Sequence, residues 1–151
     1  MSAEVERAVR RSLADYCDHV DRYDVPGILA LFAPDGWYDL GFGRVFRGPV
    51  ELRALFSRVE VYRATSHHVS NIVVDVDPAG DAAISRAALY AYHVRREDDS
   101  EAHVWGQYHD RFVRAGDRWL VQSRTLRMAA ERGTRPEGGR VTLYEPLPRG
   151  I

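Results

Sequence analysis

The feature that most limits what this chain can fold into is a change of hydrophobic period near residue 65. Downstream of it, four runs at about 65–76, 82–95, 102–114 and 118–128 alternate apolar and polar residues, and the clusters DPAGD, EDDSE and AGD separate them. Alternation sends successive side chains to opposite faces of a strand, and Asp, Gly, Pro and Ser clusters make tight connections. The second half therefore reads as an antiparallel meander. Upstream, Val5, Val9, Leu13, Tyr16 and Val20 recur at three- and four-residue spacing, which predicts a helix over 3–21 with one apolar stripe.

A second helix is announced by Asp24 as N-cap with Pro26 in the first turn, running through ILALFA until Pro34 and Gly36 end it. WYDLGFGRVFRG reads as a hairpin around Gly41–Gly43, and Pro49 opens a third helix, PVELRALFSRV. Helices first and strands afterwards make an α+β fold: three N-terminal helices packed on a strongly curved, mostly antiparallel sheet, enclosing a conical cavity. A length of 151 residues suits one domain over 1–151. An irregular tail is expected from about residue 129, rich in Gly and Pro from Gly133 onward. In it Val141, Leu143 and Tyr144 can fold back over the sheet or the cavity mouth.

Charge and composition remove whole classes of function. The 21 basic and 22 acidic residues are scattered to a net charge of -1, so no basic stripe invites nucleic acid or an anionic membrane. No apolar run approaches the ~20 residues of a membrane span, and MSAEVERAVRR is a charged amphipathic helix, so a cytoplasmic location is expected. The single cysteine, Cys17, has no partner for an internal disulfide or a structural zinc site, and no metal is expected. Every basic residue is arginine. Schiff-base chemistry, pyridoxal phosphate attachment and a P-loop all need lysine, and there is none. No GxGxxG, GxSxG or HExxH occurs either, so the chemistry is expected to use the chain's own side chains and no cofactor. A small hydrophobic substrate is the expected partner, with a homodimer or higher assembly through the outer sheet face, where Trp105 or Trp119 offers apolar area.

TSHHVSN, residues 65–71, opens the first long run with two adjacent histidines. In a strand His67 and His68 face opposite ways, so only one can face a pocket. This stretch is one of four that carry a family resemblance. With YCDHVDRYDVPGILALFAPDG, FRGPVELRALF, SHHVSNIVVDVDPAGDA and GQYHDRFVRAGDRWLVQSRTLRM in this order, the chain resembles the SnoaL-like branch of the nuclear transport factor 2 (NTF2) superfold. Scytalone dehydratase, bile acid 7α-dehydratase, ketosteroid isomerase and hexachlorocyclohexane dehydrochlorinase share that cone.

The resemblance implies a pairing of Asp21 with His67, with Tyr16 five residues before the aspartate and Arg124 late in the last strand completing the catalytic set. Tyr108, His109, Cys17, Trp37 and Phe56 are the expected substrate-binding positions. A histidine held by a carboxylate can take a proton beside a carbonyl and return it to a leaving hydroxyl, while a tyrosine and an arginine stabilise the developing charge. The implied function is a cofactor-independent dehydratase acting on a small hydrophobic oxygenated ring compound. The alternatives are a SnoaL-like cyclase or double-bond isomerase of secondary metabolism, and a non-catalytic ligand-binding module of the same fold. Spacing alone leaves the site open. Tyr16 also fits the stripe as plain core, Asp21 lies about 140° further around an ideal helix, and Arg124 also fits a surface cross-strand pair. A three-residue loop in RAGD would put Tyr108 and Arg124 on one face.

Overall fold

The apolar stripe forms a helix, α1 (Ser2–Asp21), in the computed structural model of the chain, which describes residues 2–134 and 141–143. Val5, Val9, Leu13, Tyr16 and Val20 are all buried, each worth roughly 1.5–3 kcal/mol of transfer free energy for a full-sized apolar side chain. Asp24 then caps the next helix, its Oδ1 accepting the Gly27 N–H at 3.0 Å. That helix, α2 (Val25–Leu29), is a single short turn and does not continue through Ala33 as its sequence suggests.

Residues Phe32–Asp39 are instead a strand, β1, and the reason is tertiary. The Leu31 carbonyl accepts the Val121 N–H at 2.8 Å, and Phe32, Trp37, Tyr38 and Asp39 pair in parallel with residues 121–125. Pro34 and Gly36, which read as helix stops, occupy the irregular part of this strand where the register shifts. Proline is tolerated where the ladder asks for no N–H. At Gly36 a Cβ would lie 2.9 Å from the carbonyl oxygens of Ala33 and Val121, so only glycine fits. β1 turns through Gly41 and Gly43, both at positive φ, into β2 (Val45–Arg47), and α3 (Gly48–Ser57) follows with a 3-10 turn at Arg58–Val61. The helical layer is thus one long helix, one turn and one ten-residue helix.

The four expected strands are β3 (Tyr62–Val76), β4 (Ala82–Arg95), β5 (Glu101–Ala115) and β6 (Arg118–Arg132). The sheet order is β2-β1-β6-β5-β4-β3, antiparallel except between β1 and β6. Bulges interrupt the long ladders, among them one at Asn71 in β3, whose φ is +50°, and others at Gln122 and Ala129 in β6. An extra residue bends a strand and sharpens its twist, so bulges curve the sheet into a concave inner face. α1 packs across that face against β3 and β6, and α3 packs against β1 and β2. Leu13, Ile28, Leu52 and Phe112 fill the space between, each at most 1% exposed.

β6 continues to Arg132, past the residue where an irregular tail was expected, because β5 keeps pairing it: Met128 faces Gly106, Ala130 faces Trp105 and Arg132 faces His103. A further short strand, β7 (Val141–Leu143), pairs antiparallel with Ala130–Arg132, so this part of the tail does fold back on the sheet. Tyr144 and the question of a tail over the cavity mouth lie outside the described residues. Among those residues no helix is long and apolar enough to cross a membrane.

Candidate active site

The concave face and the helices enclose a cavity of about 330 Å³. Strand parity decides which histidine enters it. His67 pairs with Ala91 and lines the cavity; His68 pairs with Tyr90 on the outer face, stacked on that ring at 5.8 Å. Asp21, the last residue of α1, lies against the start of β3. Its Oδ1 is 2.7 Å from His67 Nδ1, Oδ2 accepts the His67 backbone N–H at 2.9 Å, and the Thr65 hydroxyl donates to Oδ1 at 2.9 Å. Partial burial opposes the Asp21 charge, but hydrogen bonds from His67 and Thr65 overcome it and hold the carboxyl below its usual range. An ionised carboxylate takes the Nδ1 proton as its partner, which leaves the Nε2 lone pair available to a substrate. Nothing in the helical spacing from Tyr16 required this contact; the β3 strand start and the helix end create it.

Deeper in the cavity the lining is aromatic. Tyr16 from α1, Tyr38 from β1, Tyr108 from β5 and Phe56 from α3 pack edge to face or tilted, with centroids 5.8–6.4 Å apart. Tyr108 stands edge-on to both Tyr16 and Tyr38, so the three rings form one cluster. Burial pushes all three up, Tyr38 and Tyr108 well above the normal tyrosine range, so they enter any reaction as neutral donors.

Arg124 lies beneath this aromatic layer and is fully buried. Its Nε and Nη2 hydrogen-bond Asp110 in a two-point fork at 2.9 and 2.7 Å, and its guanidinium carbon sits 4.0 Å from the Tyr16 ring centroid and 4.2 Å from that of Tyr108. Burial opposes the charge, yet Asp110 raises its pKa well above the normal arginine value and keeps it cationic. Arg124 is not among the cavity-lining residues. Tyr108 and Arg124 do share a face, by a route other than a long loop. The loop is only Gly116–Asp117, and the extra residue at Gln122 supplies the parity change, setting Asp110 opposite Arg124 and Tyr108 opposite Leu126.

The remaining expected positions divide. Phe56 lines the cavity. Cys17 is buried beside it without lining it, and burial pushes its thiol up to about 11, which favours the neutral thiol over the thiolate. Trp37 faces the other side of β1, under the Arg47 guanidinium at 5.4 Å, and its neighbour Tyr38 takes the inward place. His109 also faces outward, its Nε2 3.1 Å from Gln107 Oε1, because parity gives the inward place to Tyr108.

Three inward groups were not singled out from the sequence. Tyr38 lies in the expected hairpin, beside Trp37, and the irregular stretch between Phe32 and Trp37 gives Tyr38 the inward place. Glu131 lies in the stretch taken for tail; it is buried and lines the cavity, in the cross-strand row His67, Ala91, Val104, Glu131. His93 is the second cavity histidine, its ring edge-on to His67 at 5.2 Å and against Tyr62 at 4.6 Å. Burial first, and His67 second, push His93 down to about 4, so it is neutral near pH 7. Its pairing with Thr65, two residues from His67 along β3, follows from alternation once the bulge at Asn71 is known. Among the described residues no three His, Cys, Asp or Glu side chains gather to hold a metal ion. The arrangement offers one hydrogen-bonded base, a neutral histidine beside it, a set of phenol donors and the Glu131 carboxyl in a cavity whose other lining is mostly apolar.

Solved structures with the same fold include a protein from Novosphingobium aromaticivorans provisionally assigned as a scytalone dehydratase, 24% identical, covering 99% of this chain and 97% of that one at a TM-score of 0.85. A hexachlorocyclohexane dehydrochlorinase, LinA-type3, from Novosphingobium barchaimii is 13% identical, covering 97% and 94% at 0.75. A variant of Rv3472, a protein of unknown function from Mycobacterium tuberculosis, is 26% identical over 83% of this chain and 72% of that one at 0.72. No curated protein matches the chain. The likeness to the first two is one of fold. The SnoaL-like domain, in contrast, matches by sequence over residues 1–125, the stretch that holds α1, the Asp21–His67 contact and the Asp110–Arg124 pair, and the chain belongs to that family, with its NTF2-like fold.

Proposed function

We propose that this chain is a cofactor-independent dehydratase that removes water from a small hydrophobic oxygenated ring compound. The observation that carries the reading is the 2.7 Å contact between Asp21 and His67, made where His67 lines a largely apolar cavity that also holds three buried phenols. His67 Nε2 takes the proton from the carbon beside a ring carbonyl. Tyrosine hydroxyls donate to the carbonyl oxygen as it gains charge, and the C–O bond to the leaving hydroxyl breaks as the double bond forms. The imidazolium, stabilised by Asp21, returns its proton to that hydroxyl, and water departs. Atoms and charge balance without a second reactant. The neighbouring solved structures provisionally assigned as a scytalone dehydratase and named as a dehydrochlorinase are consistent with an elimination.

The test is turnover of a panel of cyclic β-hydroxy ketones, read by the absorbance of the conjugated product. His67→Ala lowers the rate by ~10²-fold or more with the fold intact, and Asp21→Asn acts in the same direction. Panel members that bind without turnover would return the chain to a ligand-binding module. Assembly into a homodimer through the outer sheet face is part of the proposal. Its support is the stacked row of Tyr90, His103 and Trp105 there, with centroids 5.6–6.0 Å apart. Trp119 is no part of it, since it packs against the core. Sedimentation as a monomer at micromolar concentration would remove that part.

A further inference from the structure

Arg124 does not stand where a substrate-binding arginine must stand. It is fully buried, forked onto Asp110, and separated from the cavity by the rings of Tyr16 and Tyr108. The fork uses Nε and Nη2, and Nη1 has no hydrogen-bond partner among the described residues. The two rings stand nearly perpendicular, at 85°, and one guanidinium contacts both. Tyr38 joins the same cluster, since β1 pairs Tyr38 directly with Arg124. The row Tyr38, Arg124, Asp110, Ser85 therefore runs across four strands, with Arg124 against the rings of Tyr16 and Tyr108.

We propose that the Asp110–Arg124 pair is a positioning and polarising element: it fixes the planes of Tyr16 and Tyr108 and places a permanent cation behind their rings, so that the tyrosine cluster binds an anionic substrate oxygen while Arg124 never touches it. A cation against a phenol ring stabilises electron density arriving at the hydroxyl, and a guanidinium keeps its charge at any working pH. Asp110 sets the strength of the effect, because it both orients the fork and offsets part of the charge. Arg124 counts among the influences that lower Tyr16, Tyr38 and Tyr108, against the burial that raises them. The inference rests on the proposed function only for the identity of the oxygen, which there is the developing enolate.

The experiment needs no turnover. 4-Nitrophenol is bound to the wild-type protein at a fixed pH below its solution titration, and the fraction bound as coloured phenolate is read by visible absorbance. The wild type binds the phenolate preferentially. Arg124→Met, which keeps a long apolar stem between the rings, cuts the bound phenolate-to-phenol ratio by about tenfold. Asp110→Asn raises that ratio by a similar factor, because the fork keeps an acceptor while the offsetting charge is gone. Opposite signs from two partners of one ion pair cannot come from loosened packing, which would move both the same way. Should Arg124→Met fail to fold, Asp110→Asn and Tyr108→Phe carry the test, the latter lowering the ratio. The proposal is overturned if folded variants leave the ratio unchanged, if both move it in one direction, or if 4-nitrophenol does not bind the wild type. The dehydratase reading is tested by turnover and this one by the phenolate ratio of the Arg124 and Asp110 variants, so loss of the one and loss of the other are separate results.

Discussion

Asp21 and Asp110 each hold a nitrogen-bearing side chain from another element, Asp21 the imidazole of His67 at 2.7 Å and Asp110 the guanidinium of Arg124 at 2.9 and 2.7 Å. The first pair is partly open, with side-chain exposures of 27% for Asp21 and 9% for His67; the second is closed, with 0% for Asp110 and 1% for Arg124. Their rows are six residues apart on β5, at Val104 and Asp110, about 20 Å along the strand. Access decides what each pair can do. A histidine that meets the cavity can exchange its proton, whereas a guanidinium sealed under two rings can only hold its charge and its neighbours still. What the nitrogen faces, and not its distance from the carboxylate, separates the two pairs, since the contacts are of nearly the same length.

The largest expected effect breaks the closed pair. Arg124→Ala leaves Asp110 as an unpaired buried charge and costs about 3–5 kcal/mol in denaturant unfolding, while Asp21→Asn costs under about 1 kcal/mol, since its site is partly wet. Equal costs would dissolve the contrast. Acid sharpens it from the open end. His93 stays neutral in the fold down to about 4, whereas an unfolded histidine titrates near the usual 6.5. Its contribution is therefore fully present above about pH 6.5 and is lost as pH falls from there toward 4, on the order of 3 kcal/mol in total. The depressed Asp21 carboxyl adds a further loss below about pH 4, as its folded-state titration is crossed. His93→Phe flattens the upper window and leaves the lower one, which unfolding at several pH values reads directly.

His67→Ala comes next, with a rate loss of ~10²-fold, about 2.7 kcal/mol in the barrier, and little change in stability. Asp24→Ala removes the α2 cap and the 2.8 Å contact of its other oxygen with His19 Nδ1, neither of them in the cavity, so it lowers the thermal midpoint without touching turnover. The smallest effect is at the neighbour on the other face. His68→Ala, exposed and stacked on Tyr90, changes neither rate nor stability by more than about 0.5 kcal/mol. A larger activity loss there than at His67 would invert the assignment of the two faces.

The division between His67 and His68 was legible in the stretch TSHHVSN, because alternation along a strand is a property of the backbone itself. The change of period, the turn clusters and the Asp24 cap were legible for the same reason: each is a local preference that needs no distant partner. The contact of Asp21 with His67 came from family resemblance, since 46 residues separate the two and helical spacing argued for neither face. What only the tertiary structure decided lies wherever a distant strand overrides a local signal. β6 pulls Phe32 and Ala33 out of the helix that these residues favour, and the irregular stretch between Phe32 and Trp37 sets the parity that puts Tyr38 in the cavity and Trp37 outside. A single extra residue at Gln122 turns Arg124 to the inner face opposite Asp110, and one at Asn71 changes the parity within β3, so that His67 and not His68 stands opposite the inward-facing Ala91. A bulge costs a strand little locally and is favoured by the curvature of the whole sheet, so no window of neighbouring residues contains the reason for it. Side-chain identity and alternation came from the chain; the choice of face after each bulge came from closing the sheet around its core.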